Sequence, residues 1–87
     1  MSYKVVFTPQ AIENISKLDK TVAERIIRKI DWLSQNYGII NPLPLKGQFQ
    51  GLFKLVVGDW RVLYTADFAE KAIVIHLIGH RSEIYKT

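Results

Sequence analysis

Residues 51–64 read GLFKLVVGDWRVLY, two apolar runs that meet at Gly58-Asp59. A two-residue Gly-X loop between such runs signals a β-hairpin, because glycine takes the positive φ that the turn requires. That loop fixes a register. Val57 faces Trp60, Val56 faces Arg61, Leu55 faces Val62, Lys54 faces Leu63 and Phe53 faces Tyr64. Side chains alternate along a strand, so the pairs sort onto two faces. Phe53, Leu55, Val57, Trp60, Val62 and Tyr64 make one face, the expected core. Lys54, Val56, Arg61 and Leu63 make the other. Its two cations stand in a diagonal relation, about 7–8 Å apart at the backbone, within reach of one phosphate. We read this second face as the working surface. The plainer alternative is a solvated sheet face that happens to carry two charges.

The rest of the chain builds around that hairpin. Tyr3 to Phe7 alternates and is rich in β-formers, which predicts a first strand. Thr8-Pro9 reads as an N-cap followed by proline at the first helical position. A short helix follows with Ile12, Ile15 and Leu18 as its apolar stripe. Thr21 and Glu24 have capping-box spacing for a second helix, with Asp19 as the alternative cap. This helix is expected to run to about Tyr37 and stop at Gly38, burying Val22, Ala23, Ile26, Ile27, Ile30 and Leu33. Arg25, Arg28, Lys29 and Trp32 fall on its opposite side. That basic stripe is either a solvated face or an RNA contact, and Trp32 is either a docking spot or a ring resting on Arg28. Residues 38–50, rich in Pro and Gly, read as a connecting loop. Ala72 to Ile78 is a continuous apolar run, as a central strand covered on both faces requires. The order is β-α-α-β-β-β. It predicts an α+β domain over residues 1–87, with a helical hairpin packed on one face of a small, mostly antiparallel sheet.

Composition narrows the function classes. The chain has 87 residues, no cysteine and a net charge of +4. The missing cysteines exclude a disulfide scaffold and a Cys nucleophile or zinc ligand. The positive charge suits an acidic partner such as nucleic acid. No apolar run approaches the ~20 residues that span a bilayer. The N-terminus MSYKVVFTPQ has no signal-peptide core, so the expected location is the cytoplasm, with no membrane partner.

The acids are scattered without ligand spacing, so no metal and no cofactor is expected. There is no phosphate-loop or dinucleotide fingerprint. The remaining chemistry-bearing set is Lys54, Arg61, His80, Arg81 and Tyr85, with Lys46 close by in sequence. Arginines grip phosphate and stabilise a pentacovalent transition state. A lysine crowded by like charges is a candidate general base, and His80 is another. Tyr85 can stack on a base or simply pack on the sheet edge. RNA fits such a set, because its 2′-OH is a built-in nucleophile. His76, inside the apolar run, reads as structural.

These fragments resemble a known family. Lys46-Gly47, Gly51 to Leu55, Val57 to Tyr64 and Gly79 to Tyr85 are similar, in order and spacing, to toxins of the RelE/ParE superfamily. The resemblance covers almost the whole chain. It implies a toxin of a type II toxin–antitoxin pair. RelE-like members cut mRNA in the ribosomal A site, without a metal, by attack of the 2′-OH on the adjacent phosphate. Carried over by position, Lys54 is the implied base or transition-state stabiliser and Arg61 the phosphate holder. Arg81 acts on the leaving oxygen, and Tyr85 orients a base. Lys46 and His80 are weaker candidates for phosphate binding. The implied partners are the ribosome, mRNA and a cognate acidic antitoxin encoded beside the toxin, with operator DNA bound only through the antitoxin. The chain departs from the RelE pattern at Leu52, where a second lysine stands, and at Val56, where a basic residue is common. The alternative is the ParE branch, which shares the fold, inhibits DNA gyrase and lacks the nuclease cluster.

Overall fold

A computed structural model describes residues 2–86. Strand β1 (Lys4–Phe7) leads into helices α1 (Pro9–Ser16) and α2 (Lys20–Asn36). Strands β2 (Leu43–Pro44), β3 (Phe53–Val57), β4 (Trp60–Asp67) and β5 (Ala72–His80) follow. Short 3₁₀ turns lie at Gly47–Phe49 and Ile84–Lys86. The strands form one five-stranded sheet in the order β1-β5-β4-β3-β2. Only β1 and β5 run parallel; the other pairs are antiparallel. The layout is the α+β arrangement that the sequence predicts, with a mostly antiparallel sheet.

Local chemistry sets the element ends. Thr8 caps α1, its hydroxyl accepting the Ala11 N–H at 3.1 Å, with Pro9 next in line. Asp19, the alternative cap, occupies the N-cap of α2 without a side-chain bond. The β3–β4 hairpin has the expected five pairs, from Val57–Trp60 to Phe53–Tyr64. Gly58 has φ +59°, a conformation glycine adopts at little cost.

The core lies between the helices and one sheet face. Ile26, Ile30 and Leu33 of α2 meet Leu55, Val57, Val62, Tyr64, Ile73, Ile75 and Ile78. Two helical expectations fail. Ile12 is 55% exposed and Ala11 is buried in its place, and Ile27 is also exposed. The register of β5 explains a further irregularity. Leu63 pairs with Leu77, but Tyr64 pairs with Ile75, so His76 is an extra residue on β5. This β-bulge flips the alternation, which lets Ile75 and Ile78 both face the helices. The bulge also needs local partners, because β1 ends at Phe7. Asn14 Oδ1 accepts the Ile78 N–H at 3.0 Å, and the Thr8 hydroxyl donates to the His76 carbonyl at 3.3 Å.

The segment read as a loop, residues 38–50, contains β2. Leu43 pairs with Lys54 and Pro44 with Phe53 at the sheet edge, where proline's missing N–H is tolerated. The last strand is also longer than expected, running through Gly79 to His80.

Candidate functional site

Directly opposed residues share a face, so the register assigns sides. Lys54, Leu63 and Leu77 stand in one row, and Val56, Arg61 and Gly79 in the next, all away from the helices. This second face is not simply solvated. Leu63 is fully buried, and Ile84 of the C-terminal 3₁₀ turn packs over Gly79, where a Cβ would lie 3.4 Å from it. Tyr85, next along, meets Phe49 edge-on with ring centroids 5.7 Å apart. The two 3₁₀ turns thus carry aromatics that meet each other beside a small apolar cluster. Lys54 and Arg61 remain half-buried on the same side of the sheet.

Arg61 bends toward the hairpin tip. Its Nη1 donates to the carbonyls of Gly58 and Trp60, each at 2.9 Å. Arg81 reaches the same tip from the end of β5. Its backbone N–H donates to the Asp59 carbonyl at 2.8 Å, and its Nε lies 3.5 Å from the Asp59 carboxylate. Both arginines therefore converge on Gly58-Asp59. Lys54 stands further down the strand, lining a cavity of about 230 Å³ with Lys29, Trp32, Leu43 and Val56. Trp32 rests under Lys29, whose Nζ is 4.1 Å from the ring centroid, and not under Arg28.

The weaker candidates lie apart. Lys46 is exposed at the start of the 3₁₀ turn that precedes β3. His80 is opposed to Trp60, on the helix-facing side, and its ring meets the indole edge-on at 5.2 Å. His80 Nδ1 accepts the Ser82 N–H at 3.2 Å and lies 2.9 Å from the Ser82 hydroxyl. A nitrogen that accepts an N–H carries no proton, so this contact selects the Nε2–H tautomer. His80 thus does not share the face of Lys54 and Arg61.

The tyrosines differ. Tyr85 Oη is buried and bonded to nothing among the described residues. A buried hydroxyl without a partner costs about 1–3 kcal/mol. Tyr64 is a core residue instead. Burial first, and then the adjacent Tyr37 phenol, push its pKa far above the ordinary value. His76, 2.9 Å from Thr65 Oγ1, is held below its ordinary value by burial, as suits a structural residue. Among the described residues, no three His, Asp or Glu side chains gather as metal ligands do. No helix among them is long and apolar enough to cross a membrane.

Sequence reasoning missed one basic residue at the tip. Arg25 of α2 lies against Gly58, where its Nη2 is 2.8 Å from the position a Cβ would occupy. The signal was present in the sequence as the basic stripe on α2, but nothing in the sequence says which of its members reaches the hairpin.

The fold and the sequence as a whole match known proteins. Residues 5–85 match the family described as ParE toxin of type II toxin-antitoxin system, parDE. Among curated protein sequences, none matches the chain. Among solved structures, the chain is similar to one in the RelBE2 toxin-antitoxin complex of Mycobacterium tuberculosis, at 26% identity over 95% of each chain and a TM-score of 0.83. It is similar to one in the archaeal RelE-RelB complex of Pyrococcus horikoshii, at 24% identity over 95% of this chain and 99% of that one, with a TM-score of 0.73. It also shares the fold of the isolated E. coli RelE toxin, at 23% identity over 97% and 92% of the two chains and a TM-score of 0.75. The family match spans nearly the whole chain, and the chain is therefore a member of the ParE-toxin family within the RelE/ParE superfamily of type II toxins.

Proposed function

We propose that the chain is a RelE-type mRNA endonuclease that acts in the ribosomal A site and so stops translation. The observation that carries this reading is the convergence of Arg61 and Arg81 on Gly58-Asp59, with Lys54 on the face of Arg61. Paired guanidiniums suit a phosphodiester whose charge grows in the transition state. In the reaction, the 2′-oxygen forms a bond to the adjacent phosphorus and the bond to the 5′-oxygen breaks. The products are a 2′,3′-cyclic phosphate and a 5′-hydroxyl. Lys54 takes the 2′-OH proton. Arg61 holds the phosphate oxygens, and Arg81 stabilises charge on the leaving oxygen until solvent water gives it a proton. Tyr85, which is half-buried, offers its ring for stacking on a base. The register supports Lys54 over His80 as base, because His80 is on the other side of the sheet. Lys46 would serve the RNA only at its margin. Leu52 and Val56 leave the site short of the charge that the RelE pattern has.

The partner would be an acidic antitoxin covering the basic face. The similar chains from M. tuberculosis and P. horikoshii were solved in a RelBE2 toxin-antitoxin complex and a RelE-RelB complex. DNA would be bound through the antitoxin alone, and the site of action would be the cytoplasm, with the ribosome.

The second reading is the ParE branch that the sequence resemblance also implies, an inhibitor of DNA gyrase; the matched family is described as a ParE toxin, whereas the similar solved chains are RelE toxins. Adding purified protein to a translating extract separates the two. The nuclease reading predicts arrested synthesis and shortened mRNA without added gyrase. Unimpaired synthesis, with inhibition of purified gyrase, would support the ParE reading.

A further inference from the structure

Arg25 belongs to α2, on the core side of the sheet, yet its guanidinium reaches the tip of the β3–β4 hairpin. Its Nη2, Cζ and Nη1 lie 2.8, 3.7 and 3.8 Å from where a Gly58 Cβ would be. Glycine is required there for its φ of +59°, and the missing side chain leaves the seat that Arg25 occupies. Arg61 touches the same residue from the opposite face, through the Gly58 carbonyl at 2.9 Å. Arg81 approaches through Asp59. A two-residue turn is thus straddled by guanidiniums from three elements, with one carboxylate among them.

The three differ in what occupies them. Arg61 spends Nη1 on two carbonyls, and Arg81 is paired with Asp59. Arg25 has neither a hydrogen bond nor an ion pair among the described residues. A positioned guanidinium with all its donors available matches a phosphate in shape and charge.

We propose that Arg25 is a further phosphate-binding residue, which holds the RNA backbone phosphate next to the one that Arg61 holds. The strand would then cross the hairpin tip, with Arg61 on one side of the turn and Arg25 on the other. The identity of the ligand as RNA rests on the nuclease reading above. The placement of Arg25 does not.

The test is the salt dependence of binding. The full chain is titrated with a short single-stranded oligoribonucleotide whose 2′-hydroxyls are methylated, so that no attack occurs. Each phosphate contact on a single strand contributes about 0.7 to the slope of log K against log salt. Arg25→Ala should lower affinity several-fold and reduce the slope by about 0.7, as Arg61→Ala should for its own phosphate. Arg25→Lys, which keeps the charge but loses the fork, should retain the slope with weaker binding. Thermal melting controls for folding. If Arg25→Ala lowers the melting temperature but leaves the slope unchanged, Arg25 only fastens α2 to the hairpin and the proposal falls. It falls equally if wild type shows no salt-dependent binding, or if Arg25→Ala loses affinity for the antitoxin and not for RNA. Failure of the nuclease reading looks different: the slope changes as described, while mRNA in expressing cells stays intact.

Discussion

Asp59 holds Arg81 at two points, accepting its backbone N–H at 2.8 Å and facing its Nε at 3.5 Å. The backbone bond fixes where the segment after β5 begins. The side-chain pair is exposed, with both partners more than half accessible, so it contributes at most ~1 kcal/mol to stability. Its larger effect is on charge: an RNA phosphate must displace the Asp59 carboxylate to engage Arg81 fully. Asp59→Asn should therefore leave the melting temperature nearly unchanged and tighten RNA binding. Weaker binding by this variant would show that the carboxylate orients Arg81 and does not compete for it.

Arg61→Ala and Arg81→Ala should each abolish toxicity in expressing cells while leaving folding intact. Neither side chain is fully buried, and neither belongs to the core cluster. Changes of this kind usually shift stability by no more than about 0.5 kcal/mol. Growth assays beside circular dichroism check this. Full toxicity in both variants contradicts the site assignment.

Val62→Asp should prevent folding. Val62 is 0% exposed and faces α2, so the substitution buries an unpaired carboxylate in the core. Leu33→Ala, at another fully buried position, should cost about 2–5 kcal/mol in urea denaturation. A soluble, cooperatively folding Val62→Asp protein would mean that the faces of β4 are inverted.

Those faces are also where the sequence was most legible. Gly58 between two apolar runs determines the turn, the turn determines the register, and the register places Lys54 and Arg61 together. Less was legible wherever a tertiary partner decides the outcome. The bulge at His76 follows from how β5 meets β4, and no periodicity in an unbroken apolar run marks it. That bulge makes it hard to foresee which side His80 faces. Leu63 reads as exposed, because the turn at Ile84–Lys86 that comes back toward this side of the sheet has no pattern of its own. The two-residue β2 lies in a proline-rich stretch that any local reading assigns to loop.

Gly58→Ala should cost roughly 1–2 kcal/mol, the penalty for an L-residue in left-handed backbone. The added methyl also enters the seat of Arg25, whose flexible end must move away. If Arg25 holds a phosphate, Gly58→Ala should weaken RNA binding even in the fraction that is folded. A double-mutant cycle with Arg25→Ala measures this coupling. Additive effects on binding would separate the two residues.

His76 predicts a pH dependence of stability. Burial keeps its pKa below the ordinary value, so the unfolded chain binds the proton more readily than the folded one. The contribution from neutral His76 is therefore complete above about pH 6.5 and is lost as pH falls toward the depressed folded value. Melting temperature should drop across that interval in wild type and drop less in His76→Gln. Equal slopes in the two proteins would assign the acid sensitivity to other groups.

Primer extension on mRNA from cells expressing the chain tests the central claim most directly. The account predicts new 5′-ends within translated codons, absent when translation is blocked and absent with Arg61→Ala. Intact mRNA accompanied by double-strand breaks in DNA would contradict it.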